Sequence, residues 1–257
     1  MRMQYEELAP GQAGGRIVQS YWRFRMPADA PGPITHVIVP DAMTSLSVAL
    51  TPQGPSPLLV AGPTRRAHVT QVQPGMLYAG VRLRPECAGP LLGIGGGALR
   101  GLFQPVMPPM RAPEGLASLI AAYAQTGETA ALDARMADLS VSLDPDEAVA
   151  EVAARIVANG GRGQIRDLAA LVGVSERQLR RRFFEAAGMT PKEFAGVRRL
   201  REACILAVNA QQSWAEAAAA ADYADQSHLS REVRDAFDQT PRRIASYLRQ
   251  IDHRFAI

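Results

Sequence analysis

The stretch Ile165-Arg166-Asp167-Leu168-Ala169-Ala170-Leu171-Val172-Gly173-Val174-Ser175-Glu176-Arg177-Gln178-Leu179-Arg180-Arg181-Arg182-Phe183 decides the architecture of the C-terminal half. Ile165, Leu168, Ala169 and Val172 recur at the spacing of one helix face. Gly173 makes the turn, since a residue without Cβ enters the left-handed region at little steric cost. Ser175, with Gln178 three residues on, reads as a capping box that starts a second helix. Leu179 and Phe183 then face inward, and Arg177, Arg180 and Arg181 fall on the opposite side. Gly188 stops this helix, and Thr190-Pro191-Lys192-Glu193 starts another with a cap, a proline at the first helical position and a second box.

The plan recurs about 50 residues later. Ser175 maps onto Asp225, Leu179 onto Leu229, Arg181 onto Arg231, Phe183 onto Val233 and Thr190-Pro191 onto Thr240-Pro241. Upstream of the caps the offset is 49, pairing Ile165 with Trp214 and Ala169 with Ala218. Two helix-turn-helix patterns with shared caps, core positions and Thr-Pro exits are far more specific than one. The helix from Pro191 to about Val208 joins them. Its 18 residues span about 27 Å, close to the ~34 Å between major-groove segments one duplex turn apart. Phe194, Val197, Leu200 and Cys204 form its apolar stripe, which leaves Arg198, Arg199 and Arg201 for solvent or phosphates. Just upstream, Asp144-Pro145 reads as the cap and first position of a further helix.

Composition agrees with a nucleic-acid partner without requiring one. Between Ile165 and Arg201 there are nine basic and four acidic residues, whereas 111–155 carries three and eight. Lys192 is the one lysine among 28 basic residues, and arginine can fork onto phosphate or a guanine edge. Two cysteines, Cys87 and Cys204, cannot build a disulfide framework and read as small buried hydrophobes. No apolar run reaches the ~18 residues of a membrane span, and no signal-peptide pattern opens the chain, so a cytoplasmic location is expected.

The N-terminal part has another texture. Most of the 19 prolines lie before residue 110, between short apolar stretches at 21–24, 34–39, 46–50, 58–60, 68–72 and 76–83 that read as strands. Trp22 reads as core rather than as a ligand-stacking platform, and Arg82 and Arg84 alternate onto one strand face, directed to solvent or, as the alternative, to an anionic effector. Residues 114–125 and 128–139 read as two helices bridging the halves. The expected fold is α+β: a β-rich, barrel-like sensory or dimerisation domain (1–110), a helical linker (111–143) and an all-α domain with two helix-turn-helix units (144–257).

Over about residues 144–250 the chain resembles the AraC/XylS family of bacterial transcription regulators. The motifs are Leu168-Ala169, Gly173-Val174-Ser175, Leu179-Arg180-Arg181-Arg182-Phe183 and Gly188-Met189-Thr190-Pro191, then Asp225-Gln226-Ser227-His228-Leu229-Ser230-Arg231. The resemblance implies that each second helix enters a major groove. Arg177, Arg180 and Arg181 would then face bases in the first unit, and Ser227, His228 and Arg231 in the second. Asp222 and Asp238 stand where the family has glycine, and Val233 replaces an aromatic. Tyr21-Trp22-Arg23, Val39-Pro40-Asp41 and Gly80-Val81-Arg82-Leu83-Arg84-Pro85 are similar to segments of the β-rich N-terminal domain of one subgroup, which implies a sensory or dimerising module. The partner implied is double-stranded DNA, with room for RNA polymerase, a small-molecule effector and a second copy of the chain.

Two other function classes fit the sequence less well. A metal-binding or catalytic barrel would want clustered histidines, but His36 and His68 stand apart, and no spacing of nucleophile, base and orienting group stands out. A DNA-repair or alkyl-sensing protein would want several cysteines near basic residues, and this chain has one on each side of the divide. The chain is therefore expected to be no enzyme and to need no cofactor or metal.

Overall fold

The computed structural model describes residues 2–209 and 212–254. The N-terminal strands are β1 (Met3–Leu8), β2 (Val18–Arg25), β3 (Ile34–Ile38), β4 (Ser45–Thr51), β5 (Gly54–Pro55), β6 (Leu59–Ala61), β7 (His68–Val72), β8 (Leu77–Leu83) and β9 (Phe103–Pro105). Two short helices, α1 (Ala88–Leu92) and α2 (Gly96–Leu99), precede β9, and α3 (Leu116–Thr126) and α4 (Ala130–Ser140) follow it. The C-terminal helices are α5 (Glu147–Ala158), α6 (Ile165–Leu171), α7 (Glu176–Ala187), α8 (Pro191–Asn209), α9 (Trp214–Ala220), α10 (Gln226–Phe237) and α11 (Pro241–Leu248), with a final strand β10 (Ile251–Arg254). The chain is thus α+β, with a β-rich N-terminal part and an all-α part carrying two helix-turn-helix units.

The main sheet runs β10-β1-β2-β8-β4-β6-β9, with β5 paired to β4, and β3 and β7 form a separate ribbon. Strand β8 is its centre, and Ala79 to Leu83 are buried on both faces. On one side Val18, Leu46, Val60 and Val81 pack with Leu116, Ile120, Leu132 and Met136, so α3 and α4 lie on the sheet and share its core. Tyr21 Oη donates to Asp133 Oδ1 at 2.7 Å and pins α4 there.

Elements β5, β9, α1 and α2 lie where sequence placed none, and β1, β10 and α5 also depart from the sequence reading. Strand β1 carries Glu7 on its buried side, which breaks the apolar alternation that would have marked it. Strand β10 pairs in parallel with β1, Met3 opposite Ile251 and Tyr5 opposite His253, so the end of the helical part enters the N-terminal sheet. Helix α5 is capped by Asp146, not Asp144: its carboxylate accepts from Val149 N at 3.0 Å and also holds the Arg182 guanidinium at 2.6 Å. Asp146→Ala is expected to lower stability by about 1–2 kcal/mol, mostly as a lost cap because the Arg182 pair is partly exposed. Urea unfolding measures it, and an unchanged midpoint would show that the cap is dispensable.

The repeat is structural as well as sequential. Ser175 and Gln178 make the full capping box of α7, and Asp225 caps α10 by accepting from His228 N at 2.7 Å. Gly173 and Gly188 have φ of 68° and 69°, and their repeat partners Asp222 and Asp238 hold the same left-handed backbone at 59° and 52°. Aspartate tolerates that region better than most residues. The second unit has one box of its own, Ser213 with Glu216, at the start of α9.

Candidate nucleic-acid interface

Each recognition helix buries one stripe and exposes another. In α7, Leu179, Phe183 and Ala187 are buried, packed with Val152, Ile156 and Phe194. Arg177, Arg180 and Arg181 are exposed together on the opposite side. In α10, Leu229, Val233, Ala236 and Phe237 are buried. Ser227 and Arg231 are exposed, and His228 is half-buried, its ring against Tyr223 and its Nε2 3.6 Å from Glu232 Oε1. The structure therefore gathers the six residues singled out from sequence into two exposed clusters, one in the N-terminal half of each helix. Helix α8 separates them by 19 residues, about 28 Å of rise.

The neighbours of these clusters differ in charge. Among the described residues Arg181 has one long contact, with Glu185 at 4.0 Å and both side chains more than 60% exposed, which leaves it available to a phosphate or base edge. Arg182, next in the same run, is committed to Asp146 and so serves packing. Around α10, Asp222, Asp225, Asp235 and Asp238 are all exposed.

The arginines of α8 do not lie where sequence placed them. Arg201 is 9% exposed and donates to Glu7 Oε1 at 2.6 Å, and Arg82, 8% exposed, donates to the same oxygen at 2.6 Å. Arg82 also pairs with Asp41. Arg82 and Arg201 are thus buried rather than solvent-facing, and Arg84 is half-buried. Burial opposes the charge on Glu7, but Arg201 and Arg82 outweigh it and hold the carboxyl well below its usual range. Arg198 lies in the same cluster, where burial lowers it to about 10, still protonated at neutral pH. Arg199 stacks over the Tyr223 ring, 4.8 Å from its centre. Arg198 and Arg201 therefore face the N-terminal part, where Glu7 on β1 and Asp41 in the β3–β4 connection meet them, and Arg199 packs within the helical part.

The N-terminal sheet and ribbon line a partly open cavity of about 190 Å³. Its wall includes Phe24, Val39, Leu59, Tyr78 and Phe103, together with the paired Arg82 and Asp41. Trp22 lines this cavity and is half-buried rather than core. His68 stacks on Phe103 with ring centres 4.6 Å apart, and burial lowers its pKa. His36 faces the same space and meets Tyr247 Oη of α11 at 2.5 Å, and burial lowers it to about 4. Nothing in the spacing of these residues marked a cavity, since its wall draws on strands far apart in sequence. Cys87 and Cys204 are buried as expected, and burial pushes both thiols up to about 12, away from a reactive thiolate.

Residues 168–246 match the family described as a helix-turn-helix domain. Comparison with curated proteins finds no match. Among solved structures, the chain is similar to a Chromobacterium violaceum transcriptional regulator with an AraC-type DNA-binding domain, at 29% identity over 40% of this chain and 92% of that one, with a TM-score of 0.37. It is similar to the xylose-binding transcription activator XylR at 24% identity, covering 41% of this chain but only 28% of that one, with a TM-score of 0.37. Its likeness to ToxT of Vibrio cholerae O395 covers 97% of both chains at 10% identity, with a TM-score of 0.43.

Proposed function

We propose, from the premise that this chain is a DNA-binding transcription regulator of the AraC/XylS family, that it reads two successive major grooves on one face of a duplex. Arg177, Arg180 and Arg181 of α7 meet bases and phosphates in the first groove, and Ser227, His228 and Arg231 of α10 in the next. The observation that carries this reading is the duplicated unit itself: two equivalently capped helices, each exposing its polar stripe, at the ends of a helix about 28 Å long. Residues 144–257 are the reading domain, 1–110 the β-rich sensory domain and 111–143 the helical segment between them. The protein acts in the cytoplasm and has no catalytic role.

The N-terminal part is the regulatory input. A cavity of about 190 Å³ exceeds the ~150 Å³ that accepts a benzene ring. Its wall is mainly apolar with a few polar groups, the usual make-up of a small-molecule site. It therefore takes a compact effector with an apolar body.

Phosphate contact has a direct test. Each phosphate neutralised releases condensed counterions, so log affinity falls linearly with log salt. With six to ten such contacts, affinity is expected to drop by about 10³–10⁵ between 50 and 200 mM salt. Binding of a selected operator that is flat over this range would overturn the reading.

A further inference from the structure

The N-terminal part touches the two reading heads at equivalent places. Ala186 and Ala236 are repeat partners, each in the last turn of its recognition helix. The Ala186 carbonyl lies against Gly96 so closely that a Cβ on Gly96 would collide with it. The Ala236 carbonyl accepts from Ala67 N at 2.8 Å. Beside the first contact, Arg100 donates to Gly188 O at 3.4 Å and to Glu193 Oε1 at 2.7 Å. Beside the second, Tyr247 Oη accepts from Val37 N at 3.2 Å, and β10 joins β1.

The two gripping segments are joined to one another. Gly62 N donates to Leu102 O at 2.9 Å, and Gly101 N donates to Pro63 O at 3.0 Å, so the loop before β7 and the loop before β9 lie side by side. Gly62 sits so close to the Leu99 carbonyl that any Cβ there would force the loops apart. The same segment also walls the effector cavity through Gly62, Thr64, His68 and Phe103.

We propose that the paired loops 62–67 and 96–102 form a bracket that sets the spacing of the two recognition helices. The proposal rests on the two-headed reading above. Both heads are held by their C-terminal ends, which leaves the N-terminal halves bearing Arg181 and Arg231 free to enter grooves. A body that holds both ends fixes their separation more tightly than the single helix α8, because bending or twisting of α8 then has to break the loop contacts as well.

Binding-site selection tests this on the full chain, with a DNA library randomised in sequence and in the distance between half-sites. The intact protein is expected to select one spacing, about tenfold over spacings one base pair away. Gly62→Ala, which wedges the loops, and Arg100→Ala, which cuts the ion pair that holds the first head beside the Gly96 contact, are expected to bring neighbouring spacings within about threefold. Both changes lie off the DNA-facing surface, and Arg100 is exposed enough that its loss leaves the fold intact, so it decides the matter alone if Gly62→Ala does not fold. Two half-sites at the same single spacing in the variants would show that α8 sets the distance unaided and overturn the bracket. A selected motif with one half-site from the intact chain would instead overturn the two-headed reading, and the bracket with it.

Discussion

Glu7→Leu is expected to destabilise the protein by about 3–5 kcal/mol, the loss that follows when one partner of a buried ion pair is removed. Glu7 is 8% exposed and a single carboxylate oxygen receives both Arg82 and Arg201 at 2.6 Å. With Glu7 gone, Arg82, Arg198 and Arg201 face Asp41 as the remaining acid of this cluster. Because β1 belongs to the sheet and Arg201 to α8, the loss falls on the docking of one part against the other. Denaturant unfolding should therefore split or broaden, the helical part separating first. The pH dependence has a definite sign. The folded protein depresses the Glu7 carboxyl, so its contribution is fully present above the usual value near 4.5 and is lost as pH falls through the acid range below it. Glu7→Gln should lose part of that acid sensitivity along with stability. A cost below about 1 kcal/mol for Glu7→Leu would mean that the pairs only balance their own desolvation.

What sequence could and could not show follows from the range of the forces involved. Caps, apolar faces and turn residues act within four positions, so Ser175, Asp225 and Thr240 declare themselves without the rest of the chain. Even the left-handed backbone at Asp222 and Asp238 could be inferred, because the repeat aligns them with or near glycines. Sequence places the cap of α5 at Asp144, whereas Asp146 serves, its carboxylate also reaching Arg182, a partner 36 positions away. The same limit hid β1 and β10, whose pairing joins residues 3 and 251. Arginines on a helix face read as solvated because solvation is the common fate of charge. Only the fold reveals that Glu7 and Asp41 meet them. The cavity was illegible for the same reason: its wall is assembled from the ribbon, the main sheet and the β9 loop, and no segment carries its shape.

Removing single arginines from the two recognition helices should separate the work of the two heads. Arg181→Ala is expected to cost about 1–3 kcal/mol of operator affinity, roughly 5- to 150-fold, and to relax selectivity at one base pair. Arg181 is exposed, meets only a distant Glu185 among the described residues, and stands opposite the buried Leu179 and Phe183, so its guanidinium can fork onto a guanine edge. Arg231 occupies the matching place on α10, exposed and opposite Leu229 and Val233. Arg231→Ala should relax a different position, about one helical turn or 10 base pairs away. Its cost should be the smaller, since exposed Asp222, Asp225, Asp235 and Asp238 surround the second head with negative charge and weaken its hold on phosphate. Raising salt screens that repulsion as well as the attraction, so the gap between the two variants should narrow at high ionic strength. Binding-site selection with both variants reads the outcome directly. If Arg231→Ala leaves the selected motif unchanged at every position while Arg181→Ala alters it, the second unit is a structural copy, and sequence is read by the first head alone.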